Sequence, residues 1–130
     1  MTEVESVEAY IAGKNPGAVE LFRRFEQILE NCGPSEVSQR SSIVYWKRSR
    51  VFVGAFVQGR RLELNVDLLR EAPHPCLLMA FPHTKRVFTH RLRITEAEQL
   101  DPSLAALVKE AYDEVGPGMR GSPPVSEARS

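Results

Sequence analysis

The sequence predicts an α+β domain in which an antiparallel sheet of four to five strands is covered on one face by N-terminal and C-terminal helices. Two observations carry this prediction. Apolar residues recur every three or four positions near both ends of the chain, which is typical of amphipathic helices. The middle contains short segments rich in β-branched and aromatic residues, and these follow one another directly. That arrangement favours a meander over parallel strands separated by helices.

The predicted helices begin and end at residues that commonly delimit helices. A short first helix stops at Gly13, where a left-handed backbone is readily adopted. Asn15-Pro16 provides an N-cap and a first helical residue for a long helix, which Gly33-Pro34 ends. Asp101-Pro102 begins the last helix in the same way. We therefore expect two helices before the strands and one after them.

Three consecutive segments in the middle fit the strands of a meander: Ile43–Lys47, Val51–Val57 and Leu62–Leu68. In the third segment the apolar and polar residues alternate, so one face is buried, and we expect the helices to cover it. A later strand runs from Arg86 to Ile94, and Glu36–Arg40 is a candidate for another. Cys76–Phe81 lies between prolines and fits either a strand or a helical turn.

The chain of 130 residues, with 42% hydrophobic and 26% charged residues, has the composition of one globular domain. We assign residues 1–115 to this domain and expect residues 116–130, rich in glycine and proline, to form a disordered tail. The first residues lack the basic and apolar regions of a signal peptide, and no apolar run is long enough for a membrane span. We expect a cytoplasmic protein with reduced Cys32 and Cys76 and no membrane partner.

The charges are balanced overall, with 17 basic and 17 acidic residues, but they are unevenly distributed. Residues 37–93 contain eleven basic and three acidic residues, whereas the segments on either side each contain three basic and seven acidic ones. The acidic residues thus belong mainly to the helices and the basic ones to the sheet and its turns. Either helix–sheet ion pairs neutralise the excess, or a basic sheet face remains open. The prediction to check first is that a basic face of the sheet remains open.

The motif search yields no catalytic residue, no metal site and no cofactor. The chain has no phosphate-binding glycine loop, no nucleophile elbow and no C-x-x-C or H-E-x-x-H motif. His74-Pro75-Cys76 and His83 contain zinc-ligand residue types, but their spacing matches no zinc module, so loop histidines and a buried thiol are favoured. Enzymatic activity is therefore the least favoured interpretation.

The candidate ligand-binding residues lie on the predicted sheet: Tyr45, Lys47, His90, Arg91 and Arg93. The two arginines belong to the basic middle third and would attract an anion. Tyr45 and Lys47 combine an aromatic ring with a positive charge, as stacking surfaces do, although a half-buried strand explains them equally well. Alternation places His90 on an apolar face, where it is either a core imidazole with a hydrogen-bond partner or the polar group at the bottom of a pocket.

Several segments occur in a recognisable order along the chain: Ala12–Pro16, Ile28–Pro34, Arg50–Phe56, His74-Pro75, Thr89–Ile94, Leu100-Asp101 and Ala111-Tyr112. Over about residues 5–113 this sequence resembles the bacterial DUF5655 domain, whose organisation is similar to that of the small YdhG-like (DUF1801) α+β domains. The resemblance implies the fold described above, and the family has no established catalytic residues that could be carried over to this sequence. It also implies that a ligand would bind in a groove formed by the sheet and its surrounding loops.

Together these observations predict a non-catalytic small binding or adaptor domain with an anionic small-ligand pocket on the sheet. A homodimer is the expected protein partnership if the apolar segment Cys76–Phe81 is exposed. One alternative is a nucleic-acid-associated accessory domain that uses the basic turns Arg48–Arg50 and Arg60-Arg61. The other alternative is an enzyme whose site has no recognisable motif.

Overall fold

The computed structural model describes residues 3–118, which form three α-helices and a six-stranded antiparallel sheet. The helices are α1 (Glu3–Ile11), α2 (Pro16–Cys32) and α3 (Pro102–Glu114). The strands are β1 (Glu36–Arg40), β2 (Ile43–Lys47), β3 (Val51–Gln58), β4 (Arg61–Leu68), β5 (Leu77–Pro82) and β6 (Phe88–Ile94). A turn of 3₁₀-helix, Ala97–Gln99, precedes α3. The spatial order of the strands is β1-β2-β3-β4-β6-β5.

The α+β class is as predicted, but the prediction of four to five strands was wrong. The two ambiguous segments, Glu36–Arg40 and Leu77–Pro82, are both strands, and each forms one edge of the sheet. Prolines flank β5, and Pro82 is its last residue. A proline at the end of an edge strand removes no hydrogen bond that a central strand would need. The prolines therefore delimit this strand without preventing it.

The predicted helix starts are confirmed by the contacts of two side chains. The Asn15 carboxamide oxygen accepts hydrogen bonds from the backbone N–H groups of Gly17 and Ala18, at 2.9 and 3.1 Å. The Asp101 carboxylate accepts one from Leu104 at 3.0 Å. Each contact satisfies amide groups that have no partner inside the helix, so both helices begin where the local sequence indicated.

The helices lie against one face of the sheet, and the core is between them. The fully buried side chains of β4 and α2 that form its centre include Leu62, Leu64, Val66, Leu68, Phe22, Phe25 and Leu29. Trp46 of β2 packs edge-on against Phe25, with ring centroids 5.4 Å apart. We refer to this side as the helix side of the sheet.

The strand register places a second set of side chains on the opposite side of the sheet. We call it the open face, because most of its side chains are half-buried or exposed, and define it by these residues: Tyr45, Lys47, Gly54, Phe56, Arg61, Glu63, Asn65, Asp67, Thr89, Arg91 and Arg93. A register shift between β2 and β3 disturbs the alternation at Phe52. Phe52 is consequently fully buried and packs edge-on against Tyr112 of α3, at 5.5 Å.

The chain beyond α3 remains attached to the sheet for the part that the structure describes. Gly116 is buried, and its carbonyl oxygen accepts hydrogen bonds from the backbone N–H groups of Ser49 and Arg50, at 2.8 and 3.0 Å. The first three residues of the predicted tail, 116–118, thus form a turn against the β2–β3 connection. The rest of that tail lies outside the described residues. Within residues 3–118, no helix combines the length and the apolar character needed to cross a membrane.

Candidate ligand-binding face

Three arginine side chains converge on one carboxylate at the centre of the open face. The Glu63 carboxylate accepts hydrogen bonds from Arg61 Nε at 3.0 Å and from Arg93 Nε and Nη2 at 3.1 and 3.0 Å. Arg91 Nη2 lies 3.5 Å from the other carboxylate oxygen. The antiparallel register produces this cluster, because it places Glu63 of β4 directly opposite Arg93 of β6. Acidic and basic residues of neighbouring strands therefore pair across the sheet here.

The Glu63 cluster carries more positive than negative charge. The Glu63 side chain is only 8% exposed, whereas those of Arg61, Arg91 and Arg93 are 34%, 44% and 43% exposed. Burial by itself would raise the pKa of Glu63, but the hydrogen bonds from Arg61 and Arg93 outweigh it and lower that pKa. Glu63 is therefore ionised at neutral pH and compensates one of the three guanidinium charges.

The arginines of this cluster retain hydrogen-bonding capacity toward solvent. A guanidinium group has five N–H donors on three nitrogens. Among the described residues, the hydrogen bonds and ion pairs of each of these arginines involve at most two of the three nitrogens. The cluster therefore holds its guanidinium planes in place and still presents donors that could bind a carboxylate or phosphate group.

A second carboxylate on the open face, Asp67, has both of its oxygens engaged. Thr89 Oγ1 donates to Asp67 Oδ1 at 2.8 Å, and Arg50 Nη2 lies 3.4 Å from Oδ2. Burial is the largest influence on the pKa of Asp67 and raises it, against the opposing effects of Thr89 and Arg50. A carboxyl group with a raised pKa is suited to proton transfer in principle. Here one oxygen is bound to Thr89 of β6 and the other to Arg50 in the β2–β3 connection, so the carboxylate holds these two segments together.

An aromatic side chain lies across the sheet from these arginines. The register forms a row of paired residues, Tyr45, Gly54, Asn65 and Arg91, that crosses four strands. The Tyr45 ring leans over Gly54, because a Cβ atom built on that glycine would be 3.4 Å from Tyr45 Cδ1. Three strand spacings separate the backbones of Tyr45 and Arg91, about 14 Å. The row thus has an aromatic ring at one end and a positive charge at the other, with Gly54 and Asn65 between them.

The structure brings four of the five predicted ligand-binding residues onto the open face and places the fifth, His90, on the helix side. Tyr45, Lys47, Arg91 and Arg93 share the open face, although Lys47 lies at its margin opposite Glu36. His90 pairs with Val66 and is 1% exposed. It therefore belongs to the core rather than to the surface that carries the arginines.

The hydrogen bonds of the His90 ring define its tautomer and its role. The backbone N–H of Ala72 donates to Nε2 at 2.9 Å, so Nε2 carries no proton and Nδ1 does. Nδ1 lies 3.2 and 3.1 Å from the carbonyl oxygens of Val66 and Phe88, to which it donates. Both nitrogens have partners, and the imidazole thereby ties the loop before β5 to the sheet.

The acidic residues of the N-terminal helices do not neutralise the open face. Arg23 pairs with Glu8 at 2.7 Å and with Glu26 at 2.9 Å, and Arg24 pairs with Glu20, so these acids are bound to bases of the same helical layer. One ion pair among the described residues links the basic middle third to a helix, between Arg70 and Glu110 of α3. The open face together with β1 and Arg50 therefore carries six basic and three acidic side chains: Arg40, Lys47, Arg50, Arg61, Arg91, Arg93, Glu36, Glu63 and Asp67.

Three of the four arginines of the basic turns are engaged in contacts within the domain, and the fourth, Arg60, is exposed. Arg48 Nη1 donates to the Tyr112 carbonyl oxygen at 3.0 Å, and its guanidinium carbon lies 4.3 Å from the centre of the Tyr112 ring. Arg50 pairs with Asp67, and Arg61 with Glu63. These side chains hold α3 and the open face in place. They do not form a continuous basic surface at either end of the meander.

His74 and Cys76 lie at the start of β5, whereas His83 lies beyond its other end. His74 Nδ1 accepts a hydrogen bond from the Cys76 backbone at 3.0 Å, and its Nε2 lies 3.1 Å from Ser103 Oγ at the start of α3. His83 lies in the turn at the other end of β5. Within residues 3–118 no group of three or more His, Cys, Asp or Glu side chains could hold a metal ion. Burial raises the pKa of both free thiols, Cys32 and Cys76, and so disfavours the reactive thiolate.

A separate groove of about 430 Å³ lies between the C-terminal half of α2 and β1. Its lining includes the buried Leu29 and Trp46 and the acidic Glu26 and Glu30. Glu26 is bound to Arg23 within the helical layer. The groove contains none of the predicted ligand-binding residues, and its acidic side chains would repel an anion.

The fold and the site together define the class of this protein. Within residues 3–118 it is an α+β domain with three helices on one face of a six-stranded sheet and an arginine-rich opposite face. Residues 7–115 match the family model described as a domain of unknown function, DUF5655, so the chain belongs to the DUF5655 family. No curated protein and no solved structure gave a significant match. The similarity to YdhG-like domains stays a prediction, because the matching model is that of DUF5655.

The sequence reasoning missed the part that Arg50 and Arg61 play in the open face. The sequence analysis assigns both residues to turns, which the nucleic-acid alternative would use. Arg61 is in fact the first residue of β4, two positions before Glu63, and therefore on the same face. This signal was present in the sequence. The pairing of Arg50 with Asp67, 17 residues away, depends on the strand register and has no local signal.

Proposed function

We propose that this protein is a non-catalytic binding domain of the bacterial cytoplasm whose open face recognises a small anionic ligand. The observation that carries the proposal is the convergence of Arg61, Arg91 and Arg93 on the single carboxylate of Glu63. Two positive charges remain uncompensated at this point. An excess of oriented guanidinium groups on a partly exposed surface favours carboxylate or phosphate binding.

The surroundings of the cluster favour a ligand that also has a planar group. Tyr45 and Phe56, both half-buried, lie on the same face as the arginines. A ligand with a ring stacked on Tyr45 and an anionic group bound at Arg91 would span Gly54 and Asn65. The separation of about 14 Å suits an elongated small molecule whose two ends have these different properties.

A small ligand is favoured over nucleic acid by the engagement of the basic turns. Nucleic-acid binding gains most of its affinity from many phosphate contacts along a surface. Arg48 is held by Tyr112 and Arg50 by Asp67, which leaves the Glu63 cluster as a localised centre of positive charge. Cys32 and Cys76 are both free thiols, as is usual for a protein of the reducing cytoplasm.

Calorimetric and thermal-shift titrations with two probes test this proposal. Pyrophosphate supplies the anion alone, and adenosine monophosphate supplies an anion with a planar ring. A probe at about 100 times its dissociation constant should raise the unfolding free energy by about 2.7 kcal/mol. We expect both probes to bind, and adenosine monophosphate to bind more tightly than inorganic phosphate, which is titrated as the reference with one phosphate group and no ring. Tyr45→Ala should abolish that difference, because it removes the ring.

The matched variants are Arg91→Ala and Arg24→Ala. The first removes a guanidinium group of the open face, and the second removes one of similar exposure on α2 that pairs with Glu20. Arg91→Ala should weaken pyrophosphate binding by about tenfold or more, the equivalent of one charge-assisted hydrogen bond. Arg24→Ala should leave it unchanged.

Two results would overturn the proposal. One is the absence of any thermal shift with either probe at low ionic strength. The other is equal weakening by Arg91→Ala and Arg24→Ala, which would indicate non-specific attraction. Tight, strongly salt-dependent binding of a single-stranded oligonucleotide, without binding of the small probes, would instead support the nucleic-acid alternative.

A further inference from the structure

The edge strand β5 combines exposed apolar side chains with the absence of charge. Three large apolar side chains of the described residues are more than a third exposed, and two of them, Leu78 at 49% and Met79 at 50%, belong to β5. The strand Leu77–Pro82 contains no charged side chain. An uncharged apolar edge presents unpaired backbone N–H and C=O groups to any strand that can approach.

The other edge of the sheet differs in this respect. β1 begins with Glu36 and ends with Arg40, both exposed, and charged side chains are a common protection of edge strands. On β5 a register shift leaves Leu78 without a residue opposite it on β6, and its side chain is exposed. The regular part of the strand, from Met79 to Phe81, has no neighbouring strand on its outer side among the described residues, and Pro82 after it has no N–H to donate.

The two ends of β5 lie beside opposite charges. At its end, the turn to β6 contains the exposed Lys85 and Arg86. At its start, Leu77 pairs with Leu92, and β6 is followed there by the exposed Glu96 and Glu98. Arg91 and Arg93 of β6 also lie near this end, but they are bound to Glu63 on the open face. An antiparallel copy of β5 would place the basic end of one chain beside the acidic end of the other. A parallel copy would bring like charges together.

We propose that β5 pairs with β5 of a second copy of this chain, in antiparallel orientation about a two-fold axis. Such an interface uses the same strand on both copies, so the neutral strand and its oppositely charged ends are complementary to themselves. The charges set the orientation of the pair, and the exposed Leu78 and Met79 supply apolar area. Lys85 and Arg86 would lie within about two to three strand spacings, roughly 10–15 Å, of the acidic pair of the partner.

This arrangement has a consequence for the open face. Antiparallel edge pairing about an axis perpendicular to the sheet gives one continuous twelve-stranded sheet, with the helices of both copies on one side. The two open faces then lie on the other side, and Met79 pairs with Arg91 next to the interface. The dimer does not depend on ligand binding, so it can be tested independently of the proposed function.

Sedimentation equilibrium of the full chain, measured over a range of concentrations without added ligand, tests the dimer. We expect the average mass to rise from one chain to two. Met79→Lys places a positive charge near the two-fold axis, where it meets its own copy, and should raise the dissociation constant by at least about tenfold. Ser38→Lys makes the same change on β1 and should leave the dissociation constant unaltered. Circular dichroism melts establish that both variants are folded.

A charge exchange examines the orientation. Lys85→Glu with Arg86→Glu should weaken the dimer, because it makes both ends of β5 acidic. Adding Glu96→Lys and Glu98→Lys to that variant reverses both ends and should restore the wild-type dissociation constant. A wild-type chain that stays monomeric up to about 1 mM would overturn the proposal. Equal effects of Met79→Lys and Ser38→Lys, or a failure of the four-fold exchange to restore association, would also overturn it.

Discussion

Replacing Glu63 with glutamine removes the negative charge around which Arg61, Arg91 and Arg93 are arranged. The carboxylate accepts three hydrogen bonds from Arg61 and Arg93 at 3.0 to 3.1 Å. Glutamine has one acceptor oxygen and adds an amide group that cannot accept from a guanidinium. We therefore expect Glu63→Gln to lower the stability of the domain and, at the same time, to raise its affinity for anions.

The magnitude follows from the exposure of the partners. A hydrogen bond to a charged group contributes about 1.5–3 kcal/mol when it is buried. Here the arginine side chains are 34% to 44% exposed, and solvent screening reduces each contribution to about 0.5–1 kcal/mol. Losing these bonds should lower the unfolding free energy by about 1.5–3 kcal/mol in total. The unpaired arginines repel one another, which acts in the same direction.

The dependence on pH gives this prediction a second readout. The pKa of Glu63 is lower in the folded protein than its usual value of 4.5. Its stabilising effect is therefore fully present above that value and is lost as the pH falls through the folded pKa. Urea denaturation at pH 7 should separate wild type and variant, with an unchanged m-value. The difference should shrink toward zero once the pH has fallen below the folded pKa, where wild-type Glu63 is also protonated.

Glu36→Gln serves as the control, because Glu36 is an exposed carboxylate of β1. Its unfolding free energy should stay within about 0.5 kcal/mol of wild type. The reasoning is refuted if Glu63→Gln costs less than about 0.5 kcal/mol at pH 7, or if its cost is independent of pH. Weaker rather than tighter pyrophosphate binding by the variant would also contradict it.

Three further variants probe other contacts of the domain. Asp67→Asn should be at least as stable as wild type at pH 7, since burial raises the pKa of Asp67; stability curves should converge as the pH falls and wild-type Asp67 becomes protonated. Tyr10→Phe removes the hydroxyl that accepts from Val57 N–H at 2.9 Å, and urea denaturation should show a loss of about 1–2 kcal/mol. His90→Phe leaves the Ala72 N–H without its acceptor and should cost about 1–3 kcal/mol. Pyrophosphate affinity of the folded His90→Phe protein should be unchanged, and a tenfold loss would place His90 in the site.

The contacts that could be predicted from the sequence are those between residues close together in the chain. The Asn15 cap bonds residues two and three positions ahead, and the Asp101 cap bonds one three positions ahead. The alternation along β4 likewise depends on the geometry of a single strand and correctly separates the Leu64 side from the Glu63 side. The DUF5655 family was also recognisable from the order of short segments.

The number of strands could not be settled by such local signals. Glu36–Arg40 and Leu77–Pro82 are edge strands, and each pairs with one neighbour only. Glu36–Arg40 lacks the apolar character of the central strands, and Leu77–Pro82 is apolar but lies between prolines, so neither segment indicates a strand strongly. Phe52 shows a related effect, since the register shift between β2 and β3 turns it into the core against the simple alternation.

The sequence by itself determined the α+β class, the helix starts and the excess of basic residues in the middle third, because these depend on composition and on neighbours along the chain. The tertiary structure decided which charges meet. The fold brings Arg93 to Glu63 across 30 residues and Arg50 to Asp67 across 17, whereas the separation of His90 from Arg91 follows from alternation along β6. A residue's face follows from local alternation, but its partner follows from how separate strands pair, and that is a property of the folded sheet.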